Sequence, residues 1–154
     1  MSHASQSPAL TSIQYEFEIH IEAPKKKVWQ ALTEDIQAWW LADFHMVGAD
    51  SKLQLDPVAG GQLLESKDDG SSLLWFTVQM CDTGNSLHLA GFIFPQWGGP
   101  GTTLLHLSLE SVDGGTRFKV QDSQFGAIQS SAAKSMQEGW TWLFTAGLKK
   151  FVEA

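Results

Sequence analysis

Arginine is almost missing from this chain: of ten basic residues only Arg117 is one, against seventeen acidic residues and a formal net charge of −7. An electropositive footprint for nucleic acid therefore has no material, and nucleic acid is excluded as a partner. Cysteine occurs once, at Cys81, so no internal disulfide can form, and a lone thiol in an apolar strand-like stretch reads as a buried small hydrophobe of a reducing compartment. No apolar run is long enough for a membrane span. No positive charge precedes Lys25, so the charged start of a secretory signal is not readable, and the expected location is cytoplasmic. Phosphate-cradling loops, dinucleotide glycine fingerprints, Gly-x-Ser-x-Gly elbows and Cys-x-x-Cys pairs are also lacking, which leaves no cofactor or metal to expect.

What is present suffices for one core. The 154 residues, 43% of them hydrophobic, have the length of one domain, read here as a tail over 1–11 and a single domain over 12–154. Ile13, Tyr15, Phe17, Ile19 and Ile21 alternate with polar residues, the period of a strand with one wet face. Pro24 suits the first turn of a helix whose Val28, Trp29 and Leu32 share a side, with Lys25, Lys26 and Lys27 outside. Asp35 is placed to cap a second short helix, in which Trp39 and Trp40 flank the stripe that Ile36 begins.

Strand patterns then run over 44–47, 52–55, 61–66, 73–81, 86–94, 102–112 and 115–124, joined by turn pairs such as Asp69-Gly70 and Gly114-Gly115. Helical spacing returns over 131–152, with Met136, Trp140, Leu143, Phe144, Leu148 and Phe151 on one face. A long helix, an antiparallel meander and two short helices after the first strand bury their apolar faces only if the sheet wraps around the long helix. The expected class is α+β: a curved antiparallel sheet around a C-terminal helix, with an imperfectly filled gap between them where an apolar pocket forms.

Several segments, in this order, resemble the SRPBCC superfamily (START-like or Bet v 1-like) with its helix-grip fold. They are "IHIEAPKKKVWQAL" (19–32), "WW" (39–40), "GGQLLE" (61–66), "WFTV" (75–78), "GGTRFKV" (114–120) leading to "FG" (125–126), and "EGWTWLFTAGLKKFVE" (138–153). The branch they most resemble is the one related to the C-terminal domain of the activator of the Hsp90 ATPase. This chain departs from the pattern where Asp122 stands at a histidine-like position and Gln124 replaces a glycine. The segment "FPQWGGPG" (94–101) is longer than a minimal turn and is placed to cover one mouth of the cavity.

Seven tryptophans are the most unusual feature of the composition, and a flat-walled pocket for an apolar or aromatic guest is the reading they support. The expected cavity residues are Trp39, Trp40, His45, Trp75, Phe118, Val120, Asp122, Met136, Trp140 and Phe144. Trp40 is expected to form pocket wall at the mouth. Asp122 shares the parity of Thr116, Phe118 and Val120 and so points inward, unless a bulge near Ser123 turns it to solvent. His88 and His106 fall on the outer face of a hairpin, without a third metal ligand.

The first functional reading is a binder of a small hydrophobic or aromatic molecule. The resemblance implies two others: a co-chaperone-type protein acting on an Hsp90-like ATPase, and a cyclase, dehydratase or hydrolase for a hydrophobic substrate with Asp122 and His45 as acid and base. That last reading requires both groups to reach one bound substrate.

Overall fold

The computed structural model describes residues 9–154. The tail expected over 1–11 thus lies mostly outside the described residues, and its last residue already belongs to the first strand, β1 (Thr11–Ile21). Two short helices follow, α1 (Lys25–Thr33) and α2 (Ile36–Trp39). Six more strands come next: β2 (Lys52–Leu55), β3 (Gln62–Ser66), β4 (Ser72–Asp82), β5 (Ser86–Ile93), β6 (Gly101–Val112) and β7 (Gly115–Gly126). The C-terminal helix comprises α3 (Ser130–Trp142), a π-helical stretch (Leu143–Lys149) and α4 (Lys150–Glu153).

All seven strands form one curved antiparallel sheet in the order β1-β7-β6-β5-β4-β3-β2. Successive strands from β2 to β7 are neighbours because short connections join them, and β1 closes against β7 from Thr11↔Gly126 to Ile21↔Thr116. The inner face and the helices share one core, in which Phe118 of β7 meets Phe144 of the helix edge-on with ring centroids 4.9 Å apart. This is the expected α+β helix grip.

Three local expectations fail for physical reasons. Residues 44–47 are not a strand: a 3-10 turn occupies Ala42–Phe44, and the backbone N–H groups of Met46 and Val47 donate to the Glu65 carboxylate rather than to a ladder. Asp35 holds the residue before α2, but at φ −106° and ψ 21° it lies outside the extended geometry of a capping residue, and its carboxylate caps nothing. At the C-terminus Phe151 is exposed and Val152 is buried. The intervening π-helical turns take up more residues per turn than an α-helix, so the inward face slips by one position.

The helix approaches α2 closely at Gly147, where a Cβ would lie 2.6 Å from the carbonyl oxygen of Trp39. Only glycine fits that crossing. The cysteine, Cys81, is partly exposed at the edge of the core rather than enclosed by it.

Candidate functional site

The cavity has a volume of about 470 Å³ and lies between one end of the sheet and the helix α3. Its sheet wall comes from Leu73, Leu74, Trp75 and Phe76 of β4 with Phe92 and Ile93 of β5. The β4–β5 ladder ends at Thr77↔Ala90, so these residues lie beyond the last paired position, where the two strands part. Side chains of both sheet faces can then border one space. The helix wall is Ala132, Ser135, Met136, Gly139 and Trp140, all linked by steps of three or four residues as one helical face requires. Phe44 and Met46 close one side, and Trp97, from the long segment 94–101, closes another.

The lining is overwhelmingly apolar, and its flat surfaces are rings. Trp75 and Trp140 stand nearly edge to face with centroids 6.3 Å apart, and Trp140 stacks on Phe144 at 5.9 Å. Behind Trp75 lies Trp40, edge-on at 5.2 Å, and behind that Trp39 at 6.0 Å. A run of aromatic rings thus leads from the core to the cavity wall.

The adjacent tryptophans belong to the inner end of that run. Both are buried, and each indole N–H has a backbone partner: Trp39 donates to the Ala31 carbonyl at 2.7 Å and Trp40 to the Phe44 carbonyl at 3.1 Å. Trp40 is therefore not pocket wall; it backs Trp75, which is. Of the ten residues expected to line a cavity, Trp75, Met136 and Trp140 do so. Phe118, Val120 and Phe144 join Trp39 and Trp40 in the solid core, packed where the sheet closes over the helix.

His45 is drawn away from the cavity by a polar cluster around Glu65. This carboxylate is fully buried and accepts from Met46 N–H (3.1 Å), Val47 N–H (2.8 Å), Ser51 Oγ–H (2.6 Å) and Trp75 Nε1–H (3.0 Å). Burial alone would raise its pKa, but the donors, Ser51 and Val47 foremost, outweigh burial and hold the carboxyl below its usual range. Since Ser51 gives its one proton to the carboxylate, His45 Nδ1, 2.8 Å from Ser51 Oγ, is the donor of that pair. The cluster ties the loop after α2 to β3 and β4. It also fixes the Trp75 indole, so a buried charge sets the angle of a cavity wall.

Asp122 does point inward, and it is 99% shielded, with 1% exposure. No bulge interrupts its pairing with Tyr15 and Leu105. Its Oδ2 accepts from Tyr15 Oη–H at 2.6 Å and Gln124 Nε2–H at 2.8 Å, and its Oδ1 from Thr103 Oγ1–H at 2.6 Å. Asp122 itself does not line the cavity, although Thr103 does. Neither Asp122 nor His45 is among the lining residues, so the acid–base pairing expected of them lacks a shared substrate position.

Tyr15 is the only tyrosine of the chain, which makes its state directly observable. Burial, then the negative charge of Asp122 and the hydrogen bond to it, push the phenol far above the ordinary tyrosine pKa. With the folded value raised, the stabilisation from this contact is whole below the unfolded tyrosine pKa of about 10 and is lost as pH rises beyond it. Spectrophotometric titration should therefore show no tyrosinate while the protein remains folded, with ionisation coinciding with alkaline unfolding. Ionisation of the native protein near the ordinary value would contradict the contact.

Among the described residues no group of three or more histidine, cysteine, aspartate or glutamate side chains could hold a metal ion. His88 and His106 sit directly opposite each other, stacked at 4.0 Å on the outer face. Burial, opposed by a hydrogen bond with Gln121 and aided by the His88 charge, holds His106 below its usual pKa. No helix among the described residues is long and apolar enough to cross a membrane.

Sequence reasoning missed Glu65, Thr103, Gln124 and the pairing of Tyr15 with Asp122. Strand parity carried the signal: Glu65 alternates in phase with Leu63, Thr103 with Leu105 and Leu107, and Gln124 with Asp122, each pattern pointing a polar side chain inward.

A curved sheet gripping a C-terminal helix, with an apolar space left at one end, defines a protein of the helix-grip class. The profile of the family described as "Activator of Hsp90 ATPase homolog 1-like protein" matches residues 22–153, and the chain belongs to that family. Its fold is similar to that of protein MLL2253 from Mesorhizobium loti, at 21% identity over 92% of this chain and 97% of that one, with a TM-score of 0.71. It is also similar to Ara h 8.0201, at 16% identity over 92% and 98% of the two chains (TM-score 0.66). DynU16, a protein in the dynemicin biosynthetic locus, is matched at 17% identity over 92% of this chain and 47% of that one (TM-score 0.69). No curated protein matches the chain by sequence.

Proposed function

We propose that this protein binds a small hydrophobic or aromatic molecule in the cavity between the parted ends of β4 and β5 and the helix α3. The observation that carries this reading is the cavity itself: about 470 Å³, bounded by Trp75, Trp97 and Trp140 with aliphatic and thioether surface between them. That volume falls within the range of about 300–1,000 Å³ usual for small-molecule sites. Membership of a helix-grip family agrees with it, since the grip leaves space where sheet and helix diverge.

Gly139 provides the test. It lies on the cavity side of α3, and a Cβ placed there would meet only the Phe44 ring at 3.7 Å and 3.9 Å, an ordinary contact. Gly139→Leu should remain folded, helped by roughly 1 kcal/mol of helix propensity, while its isobutyl group occupies the cavity. The neutral fluorophore N-phenyl-1-naphthylamine should bind the parent protein with a change in tryptophan emission, and bind the variant at least about tenfold more weakly. Equal binding by both would remove the cavity as the site.

A further inference from the structure

On the β6–β7 side of the cavity, opposite the Ser135 hydroxyl of the helix wall, the buried polar groups are acceptors. Thr103, the polar residue of β6 in the lining, has spent its proton on Asp122, so its oxygen can only accept. Directly across the β6–β7 ladder from Thr103 stands Gln124, 1% exposed. Both protons of its amide nitrogen are committed, one to Asp122 Oδ2 at 2.8 Å and one towards Met136 Sδ at 3.0 Å. This fixes the amide's orientation, because turning it over would set its oxygen against the carboxylate. Its oxygen, Oε1, then has no hydrogen-bond partner among the described residues. A buried acceptor left in that state is costly. Thr103 and Met136, which flank the amide, both line the cavity, whereas Gln124 does not; it lies one side chain behind the cavity surface, and a ligand group reaches its enclosed oxygen by displacing the Met136 thioether.

Resting on the cavity reading above, we infer that the ligand is a neutral hydrophobic molecule bearing one hydrogen-bond donor, an alcohol or phenol hydroxyl or an N–H, which is donated to Gln124 Oε1 between Thr103 and Met136. The same arrangement selects against anions. A ligand carboxylate would bring acceptor oxygens towards the Gln124 oxygen, the Thr103 oxygen and the Asp122 carboxylate behind them, with no proton to offer.

Three ligands of one ring system separate these terms: 2-naphthol, its methyl ether 2-methoxynaphthalene, and 2-naphthoate, each competed at neutral pH against bound N-phenyl-1-naphthylamine. The ether is the more apolar of the neutral pair, so burial alone would favour it. The inference requires the reverse, 2-naphthol binding about tenfold or more tightly than the ether, with 2-naphthoate weakest. In Gln124→Met, which keeps the length of the side chain and removes the acceptor, the ratio of naphthol to ether affinity should fall to about one or below, whatever change the two ligands share. If that variant does not fold, the ranking on the parent protein still decides. Equal binding of naphthol and ether, or tightest binding of naphthoate, overturns the donor inference and leaves the cavity reading standing. Failure of the probe and all three ligands to bind overturns both.

Discussion

Asp122→Ala is expected to be the most damaging single substitution in this chain. It leaves three donors, Oη of the half-buried Tyr15 and the buried Thr103 Oγ1 and Gln124 Nε2, facing a space that no longer accepts from them. Hydrogen bonds to a charged acceptor contribute roughly 1.5–3 kcal/mol each, and breaking a buried charged cluster from one side costs roughly 3–5 kcal/mol. For a domain of this size each kcal/mol lowers Tm by about 2–4 °C, so a fall of about 10 °C or more is expected in a thermal melt. Asp122→Asn should cost about half as much, because it keeps the shape and the one oxygen that Tyr15 and Gln124 share, and the Thr103 hydroxyl can turn to accept from the new amide. A loss below about 1 kcal/mol for the alanine variant would show that the carboxylate does not hold β1, β6 and β7 together as described.

Glu65→Gln should have the next largest effect. Four donors converge on two carboxylate oxygens, and an amide offers one oxygen and two protons in their place. Ser51 can redirect its proton to the Gly48 carbonyl, 2.7 Å away, so the amide nitrogen would settle on the Ser51 side and confront the Val47 N–H. The expected cost is about 2–4 kcal/mol, with protease cleavage appearing between Leu41 and Ser51, where the loop loses its tether. The pH dependence identifies the cause. A folded pKa held below the carboxylate range gives stability that is whole above the unfolded value of about 4.3 and is lost as pH falls through the folded value. The gap in denaturation midpoint between the parent protein and Glu65→Gln should therefore narrow on acidification below about pH 4. A gap independent of pH would assign the loss to shape rather than to charge.

The fold was legible because its long elements obey their periods strictly. The alternation from Ile13 to Ile21 and the helical face from Met136 to Leu148 leave few arrangements that bury both. Legibility ended where a side chain's partner comes from elsewhere in the chain. Met46 and Val47 look like strand residues, and only the folded chain shows their N–H groups taken by Glu65, nearly twenty residues on. Phe151 follows the α-helical period and is displaced by a π-helical stretch that no local pattern announces.

The site was partly legible for the same reason. Trp75, Met136 and Trp140 face inward by periodicity and do border the cavity. Which inward residues meet protein and which meet space depends on where β4 and β5 part, a property of the ladder rather than of either strand. The paired indoles of Trp39 and Trp40 suggested a pocket mouth, whereas their N–H groups, both bound to backbone carbonyls, belong to packed interior. Conversely, Glu65 and Gln124 went unread although each is a polar residue at apolar parity, the pattern that turns both inward.

The most direct test of the cavity is the position of a bound molecule, measured by intermolecular nuclear Overhauser effects between 2-methoxynaphthalene and protein with isotopically labelled methionine methyls. Contacts should appear at the methyls of Met136 and Met46, which border the space, and not at Met80 on the exposed part of β4. Contacts confined to Met80, or no contacts at saturating ligand, would contradict an internal site.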